Sequence, residues 1–504
     1  MVTRRWSVSV ALASLAATMP AHADTLREAL LRAYQDNPTI TAGRATLRAA
    51  DENVPITRAA GRPQLNSTGQ LSQVLAATNT LTPERQANAG LNLSVPVFNG
   101  GGVRAAVRGA ETRVQAERAN LRGTESELFT NVVNAYLSVL RDEAVVGLNQ
   151  QNVRVLEVNL QATRDRFEVV DLTRTDVAQS DARLALARGQ LRSAEAMLIG
   201  SRENYIRVVG TPPVGLEPPP ALPNLPDTPD QAVQVALANN PTLQAAEQLR
   251  QASNFDVGVA RASRSPQVNV ILGGNYFNYL GSLNANVIGL QPGQDGIGGS
   301  AGLGLQLPLF QGGRPAAQIR QAEARRSVAI EGFTEVERSV VAQTRSAYAN
   351  WRAAEYVIRS SEAAVQANQL SLEGVRAENT VGNRTILEIL NAEQELLNAQ
   401  VQLVTARRDA YVTGFALLAT MGRAEARDLG LEGGALYDPT TNYNDVRGRL
   451  FDYSTPRRSQ AVAPSTRDIP AQTSAIEAAP DDPLVRPPVD RNPADPAATP
   501  TPRR

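Results

Sequence analysis

The chain has 504 residues with 50 basic and 50 acidic side chains, so its formal net charge is zero. This balance gives no electrostatic reason to expect a nucleic-acid partner. Cysteine is absent, and the one histidine is His22. The remaining chain therefore has no imidazole base, no thiolate nucleophile and no histidine or cysteine ligand for a metal. Catalysis by carboxylates alone stays open as an alternative, but the composition does not favour an enzyme, a cofactor site or a metal site.

The first 23 residues are typical of a secretory signal peptide. Arg4 and Arg5 form a basic start, residues 8–18 are a short apolar stretch, and residues 21–23 have the small-x-small pattern of a cleavage site before Asp24. The apolar stretch is shorter than the ~20 residues that cross a bilayer. We expect an exported protein that starts at Asp24, without a transmembrane helix or a lipid anchor.

Most of the remaining chain consists of two copies of one unit. Asn37-Pro38-Thr39 returns as Asn240-Pro241-Thr242, and two other segment pairs keep the same order and a similar separation. These pairs are the segments at 93–101 and 305–313 and the segments at 166–175 and 376–385. Repetition over this length indicates a duplicated half-domain. The repeats are predicted at 24–210 and 230–430, joined by a Pro-rich linker at 211–229.

Each repeat begins with a predicted helix. Thr25 with Glu28 has the form of a capping box, and Thr228 begins the second copy in the same way. These helices are predicted to run to about Ala60 and Arg264.

Two strands follow in each repeat, near 64–98 and near 266–310. The clearest strand alternates apolar and polar residues over 87–97. Such a pattern usually belongs to a soluble sheet with one face in water. The export signal, strands of about ten residues and the duplication favour membrane strands of a β-barrel instead. Four strands cannot close a barrel, since the smallest have about eight, so several chains would have to share one.

Each repeat then becomes a long helical hairpin. No proline lies between Pro96 and Pro212 or between Pro315 and Pro439. Apolar residues return every seventh position, which predicts coiled-coil seams. The seam positions are Val132, Val139, Val146, Val153, Leu160 and Phe167, then Val177, Leu184, Leu191, Leu198 and Tyr205, and in the second repeat Trp351, Ile358, Val365 and Leu372, then Ile389, Leu396, Leu403, Ala410 and Leu417. A helix over 103–167 would be roughly 100 Å long.

The ends of the long helices are also marked in the sequence. Gly-Gly pairs at 100–101 and 312–313 provide the backbone freedom for a strand to turn directly into a helix. Turns at 169–173 and 379–383 fold each long helix back on itself. A short segment at 431–453 follows the second repeat. Residues 454–504 are rich in proline and small polar residues, and we expect a disordered tail there.

These segments together resemble the TolC family of outer-membrane efflux channels. The most specific matches lie at 26–38, at the two strand ends with their glycines (96–101 and 308–313), at the two turns (171–176 and 381–385), at 390–399 and at 436–439. The resemblance covers nearly all of the chain between the signal peptide and the tail.

The resemblance implies a mixed α+β membrane protein. It implies a homotrimer whose chains each give four strands to one twelve-stranded outer-membrane β-barrel, continuous with a periplasmic cylinder of long antiparallel α-helical coiled coils. It further implies contact with outer-membrane lipid and docking to a periplasmic adaptor (a membrane fusion protein) and an inner-membrane transporter. The function implied is a passive exit duct for efflux or type I secretion, without a cofactor.

The two hairpin turns are the best candidate sites. The resemblance implies that they form the periplasmic tip, where the adaptor docks, although ordinary turn residues would look the same. The docking residues would be Asp171, Leu172, Thr173, Arg174, Val381, Gly382 and Asn383. Relatives often carry glycine where this chain has Val170, which leaves the shape of the first turn open.

The resemblance also implies a periplasmic gate at the tip. Asp176 and Arg384 match positions that hold the tip closed through a polar link, and Glu388 and Asn391 match positions that line the pore with carboxylates. With asparagine at 391, the ring of charge would be about half as strong. In the alternative interpretation, Asp176 is a carboxylate at a helix N-terminus, and Arg384 and Glu388 are solvated charges.

One alternative belongs to another class of protein. The same patterns fit a periplasmic coiled-coil scaffold with a small soluble sheet and no channel. A scaffold would be released by osmotic shock, whereas a channel would fractionate with the outer membrane. The cargo cannot be read from the sequence, because a wide aqueous conduit has no side-chain code for a substrate.

Overall fold

The computed structural model of the chain describes residues 24–76, 82–222, 225–283, 293–431, 436–454 and 460–475. The predicted signal peptide lies outside the described residues, as do parts of both strand loops and residues 476–504. Within the described ranges, no helix is long and apolar enough to cross a membrane.

The two repeats have the same order of elements. The first contains α1 (Leu26–Asp36), α2 (Pro38–Ala59), β1 (Gln64–Gln73), β2 (Arg85–Phe98), α3 (Gly102–Glu168) and α4 (Arg174–Val209). The second contains α5 (Pro229–Asn239), α6 (Pro241–Ala262), β3 (Gln267–Asn278), β4 (Asp295–Gln306), α7 (Arg314–Thr380) and α8 (Ile386–Thr420). A short helix, α9 (Thr441–Val446), follows. Strands and long helices thus lie where the sequence patterns predicted them.

The first helix of each repeat is broken in two, whereas the sequence predicted one helix. The break falls at Asn37 and Asn240, each of which precedes a proline that disfavours helical backbone before it. The Asn37 side chain accepts from the Thr39 N–H at 2.8 Å and donates to the Val208 carbonyl at 2.7 Å. Asn240 likewise caps α6 and donates to the Thr420 carbonyl at 2.8 Å. The duplicated asparagine therefore ties each bend to the end of α4 or α8.

The four strands form one antiparallel sheet in the order β1-β2-β3-β4. The pairing of β2 with β3 joins the two repeats, with Leu93 opposite Leu272. Both edge strands, β1 and β4, have one neighbour each in the described sheet. Leu65 and Leu71 of β1 and Leu303 and Leu305 of β4 are exposed. Among the described residues, one chain therefore leaves a sheet with two open edges and exposed leucine side chains.

Two glycines begin each long helix, directly after β2 as predicted in the first repeat, but in the second repeat residues 307–311 lie between the end of β4 and the glycines. Gly100 and Gly101 have φ of 62° and 79°, and Gly312 and Gly313 have φ of 58° and 82°. A Cβ at Gly100 would also lie 2.2 Å from the Cβ of Ser265. Left-handed backbone and close packing together restrict this position to glycine.

The largest core lies where α3 crosses the first helices of the repeat. Phe129 and Tyr136 of α3 are fully buried there, against Ile40 and Leu47 of α2 and other apolar residues. The first seam is confirmed from Val132 to Leu160, where every predicted position is buried, and Phe167 at the helix end is exposed. The seam positions Trp351, Ile358 and Val365 of α7 are only half-buried in the single chain.

The segments after α8 pack back onto the first repeat. Asn442 of α9 donates to Asp51 of α2 at 2.9 Å. Residues 460–475, which lie in the predicted disordered tail, are placed against α4, where the Gln472 N–H donates to Glu203 at 3.0 Å. Composition did not predict this contact, because α4 supplies the partners and the segment supplies mainly its backbone.

Candidate functional site at the hairpin tips

The two tips have the same backbone shape. Val170 follows the end of α3 with φ of 65°, and Gly382 follows the end of α7 with φ of 81°. One residue later, the Asp171 N–H donates to the Arg166 carbonyl and the Asn383 N–H donates to the Glu378 carbonyl, both at 2.9 Å. The first turn therefore keeps the glycine-type conformation with a valine. Left-handed backbone is costly for a β-branched residue, so the first tip is strained.

An ion pair closes each turn, with opposite polarity in the two tips. In the first tip, Arg166 at the end of α3 binds Asp171 in the turn at 2.7 Å. In the second tip, Glu378 at the end of α7 binds Arg384 in the turn at 2.6 Å. These pairs are exposed to solvent, so their role is to hold the turn shape more than to add stability.

A capping box follows each turn. Thr173 donates its N–H to Asp176 at 2.9 Å and accepts the Asp176 N–H at 3.3 Å. Hydrogen bonds from the Thr173 hydroxyl and backbone lower the pKa of Asp176. Glu388 accepts from the Thr385 N–H at 2.8 Å and from Arg384 at 2.7 Å, and these bonds lower its pKa. Both carboxylates are therefore ionised helix caps. The Thr-x-x-Asp and Thr-x-x-Glu spacing carries this signal in the sequence, but the sequence analysis assigned a capping box only to the first helix of each repeat.

The structure does not bring Asp176 and Arg384 together within one chain. The Asp176 side chain is engaged by Thr173, and the Arg384 guanidinium is shared between Glu378 and Glu388. These two carboxylates raise the pKa of Arg384, so it stays charged.

Asn391 connects the two hairpins. It lies on α8 and accepts a hydrogen bond from Arg183 of α4 at 2.6 Å. Of the four predicted gate residues, Asp176 and Glu388 are helix caps. Arg384 pairs with carboxylates at its own turn, and Asn391 bridges the two hairpins.

A second bridge between the hairpins was not predicted from the sequence. Glu393 of α8 is 6% exposed and accepts from Asn159 of α3 at 2.9 Å with both carboxylate oxygens. Arg376 of α7 donates to the same carboxylate at 3.0 Å. A buried carboxylate with these partners fixes how the hairpins meet. Glu393 lies in the segment 390–399 that carried the family resemblance, but its burial could not be read from one sequence.

The ends of both tips are apolar and open to solvent. Val169 and Val170 are 74% and 89% exposed, and Val381 is 70% exposed. Asp171, Thr173, Arg174, Gly382 and Asn383 are exposed beside them, and Leu172 is half-buried. The predicted docking residues thus form two adjoining parts of the same end of the molecule, as neighbouring turns of two packed hairpins.

Comparison with known proteins gives the class of this fold. The chain is similar to the outer membrane protein VceC of Vibrio cholerae, whose crystal structure matches with a TM-score of 0.67 and 23% identity over 79% of this chain and 96% of VceC. This likeness shows that the chain has the fold of VceC.

The family follows from the sequence comparisons. The model of the outer membrane efflux protein family matches residues 29–211 and 232–423. The chain is 33% identical to the outer membrane efflux protein BepC of Brucella suis over 86% of this chain and 92% of BepC. It is 27% identical to the outer membrane protein TolC of Escherichia coli over 90% of this chain and 93% of TolC. The chain belongs to the outer membrane efflux protein family, which is the TolC family that the sequence motifs indicated.

Proposed function

We propose that this chain is one subunit of a passive exit duct in the outer membrane, serving a tripartite efflux pump or a type I secretion system. The sheet lies in the membrane and the helical hairpins extend into the periplasm. Three copies make the channel, so that their strands close one twelve-stranded barrel. The duct has no cofactor of its own, and the partner transporter supplies the energy.

The open sheet carries this proposal. β1 and β4 each lack a second neighbour in the described sheet, and their apolar side chains are exposed. Backbone N–H and C=O groups in lipid must all be paired, so an open edge cannot remain there. Pairing β4 of one copy with β1 of the next satisfies every strand when the sheet closes. Three chains with four strands each give a closed barrel of a size known to span outer membranes.

The helical part supports the same assembly. α7 has four buried residues among its 67 and exposes Val328, Tyr356 and Leu370. Exposed apolar side chains along a helix of this length favour packing against another long helix over exposure to water. A neighbouring copy would cover α7 while its sheet pairs with β4.

We further propose that the tips dock a periplasmic adaptor, through which the inner-membrane transporter is reached. The exposed valines beside charged turn residues give a small apolar surface with a polar rim, which is the usual anatomy of a protein contact. The docking residues are those of the two turns, from Asp171 to Arg174 and from Val381 to Asn383.

The gate is proposed at the same end, with Asp176, Arg384, Glu388 and Asn391 as its residues. In the single chain, Arg384 binds Glu378 and Glu388. Removing Arg384 frees both carboxylates and loosens the second turn. A ring of Glu388 side chains from three copies would attract cations, with Asn391 contributing no charge.

The assembly is tested by the mass of the particle in mild detergents and by conductance in planar bilayers. We expect a trimer by light scattering and discrete channels, and the protein should sediment with outer membranes. A stable monomer in several detergents would contradict the shared sheet. Release by osmotic shock without any conductance would support the scaffold alternative.

The gate is tested by Arg384→Ser, with Arg166→Ser as a matched control in the first tip. Arg384→Ser should raise single-channel conductance, whereas Arg166→Ser should change it less because Asp171 is not placed at the gate. Glu388→Gln should weaken block by divalent cations. Unchanged conductance in Arg384→Ser, in a channel that otherwise conducts, would refute the gate assignment and leave the duct standing.

A further inference from the structure

Residues 460–475, here called the C-terminal strap, lie along the end of α4. The Gln472 N–H donates to Glu203 at 3.0 Å, and the Thr473 carbonyl accepts from Arg202 at 2.5 Å. A turn within the strap is closed by the Ile469 N–H, which donates to the Thr466 carbonyl at 3.2 Å. Two neighbouring residues of α4 thus bind two neighbouring residues of the strap through its backbone.

Arg202 links the strap to the core. Its side chain is 10% exposed, and its second terminal nitrogen binds Glu143 of α3 at 2.7 Å. A buried guanidinium needs acceptors for its N–H groups, and leaving them unpaired is costly. The Thr473 carbonyl provides one of these acceptors. The strap therefore supplies one acceptor to a buried charge, whose Nε has no hydrogen-bond partner among the described residues.

The strap also reaches the bend between α1 and α2. Pro464, Thr466 and Ile469 border a cavity of about 390 Å³ whose other walls are the bend and the end of α4. At this bend Asn37 donates to the Val208 carbonyl of α4. The strap and the Asn37 side chain therefore both contact the end of α4.

The second repeat covers the corresponding place differently. The positions of α8 that correspond to Arg202 and Glu203 are Gly414 and Phe415, both buried. A Cβ at Gly414 would lie 2.6 Å from Leu222 of the linker between the repeats. On α8 the linker therefore closes the surface with apolar contact. On α4 the surface carries two charged side chains, and the strap takes the linker's place.

We propose that α4 and the α1–α2 bend form a peptide-docking surface whose occupant is the chain's own C-terminal strap, anchored by Arg202 and Glu203. The strap fastens the end of α4, as the linker fastens the end of α8. Residues 460–475 then belong to the folded part of the protein, and only the segment beyond Ala475 is dispensable for it.

Two truncations test this proposal in the purified, detergent-solubilised protein. Hydrogen exchange is followed at the end of α4, where the Gly210 N–H donates to the Ile206 carbonyl at 2.8 Å. Truncation after Ser454 should speed exchange there at least tenfold, whereas truncation after Ala475 should leave it unchanged. Equal exchange in the two truncated proteins and the full chain would overturn the proposal.

The anchors are tested in both backgrounds. Arg202→Ala and Glu203→Ala should speed exchange in the full chain and have a smaller effect in the chain truncated after Ser454. Gln472→Ala should have no effect, because its backbone makes the contact. Equal effects of the anchor substitutions in the two backgrounds would show that they act without the strap.

Whether the strap binds its own chain is decided by cross-linking, which the cysteine-free sequence makes simple. Arg207→Cys combined with Thr466→Cys, two positions that border the same cavity and leave both anchors in place, should be joined within one chain by a bis-maleimide reagent. Cross-linking between chains would overturn the assignment of the occupant.

Discussion

α3 and α7 are each 67 residues long, and each begins after a Gly-Gly pair, yet α3 has 26 buried residues and α7 has four. α3 packs against α1 and α2 of its own repeat. It also packs against helices of the second repeat, including α6 and α8. α7 packs against α5, α6 and α8, all from its own repeat. Duplication has therefore placed two similar helices in different environments: one inside the chain and one at its edge.

The tips extend this comparison to charge. Both turns have the same backbone and each is closed by an ion pair, but the arginine lies at the helix end in Arg166–Asp171 and in the turn in Glu378–Arg384. Only the first tip has a strained residue at the left-handed position, because Val170 occupies the position that Gly382 has in the second tip. The two copies thus share the turn shape and an ion pair, and they differ in which partner carries the positive charge.

The largest difference between corresponding substitutions in their effect on stability is expected at Glu125 of α3 and Glu337, its counterpart on α7. Glu125 is half-buried and accepts from the Ala426 N–H at 2.5 Å, whereas Glu337 is exposed. Burial raises the pKa of Glu125 from 4.5 to about 7, and nearby Glu425 adds to this. The fold therefore favours the protonated carboxyl. Its stabilisation is complete below about pH 4.5 and is lost as the pH rises through about 7.

Glu125→Gln, which stays neutral, should raise stability at pH 8 by up to ~3 kcal/mol and change it little near pH 4. The thermal unfolding midpoint of the variant should fall less than that of the wild type as the pH rises from 5 to 8. Glu337→Gln is the matched control and should leave the pH profile of the wild type in place. Identical profiles for the wild type and Glu125→Gln would show that Glu125 is solvated.

The next largest difference in stability loss is expected at two tyrosines in corresponding positions, Tyr136 and Tyr348. Tyr136 is fully buried, and its hydroxyl lies 2.7 Å from the carbonyl oxygens of both Asp24 and Glu217. The Tyr348 hydroxyl donates to the Asp227 carbonyl in a solvent-exposed place. Tyr136→Phe should cost about 2 kcal/mol, because it strands buried acceptors. Tyr348→Phe should cost about 0.5 kcal/mol, because water replaces the hydroxyl. Equal shifts of the unfolding midpoint would contradict the difference in burial.

Sequence patterns predicted the element order and the long hairpins because period, proline and glycine are local signals. The break at Asn37 was missed although the proline after it is a local signal for a helix boundary. Only the bond from Asn37 to the distant Val208 carbonyl could not be predicted from the sequence. The positions of the tip residues were predicted, but their bonds were not. Arg384 has carboxylates on both sides in its own turn, and nothing in the spacing favours Asp176 over them. Glu393 required knowledge of which face of α8 is buried.

Equal losses of stability are expected at the two helix bends, because the repeats are alike there. Asn37→Ala and Asn240→Ala each remove a helix cap and one bond to a helix end, and each should cost about 1–2 kcal/mol. Asn37→Asp and Asn240→Asp keep the cap acceptor and lose the donor, so they isolate the bond to Val208 or Thr420. A midpoint shift confined to one repeat would show that only one bend is clamped.

The smallest effect is expected from exchanging the left-handed residues of the tips. Val170→Gly relieves a valine at φ of 65°, but glycine loses more backbone entropy on folding, so the net gain is about 0.5–1 kcal/mol. Gly382→Val imposes the strain but recovers the entropy that glycine loses on folding, so it should cost about 0.5–1 kcal/mol. The readout is hydrogen exchange of Asp171 and Asn383, whose N–H groups close the turns at 2.9 Å. Exchange at Asp171 should slow about threefold in Val170→Gly, and exchange at Asn383 should speed about threefold in Gly382→Val. Val381→Ala is the control, because Val381 has an ordinary φ of −97° and should leave both amides unchanged. Faster exchange at Asp171 in Val170→Gly would mean that the valine side chain holds the first tip together, so that its strained backbone is offset by contacts at the tip.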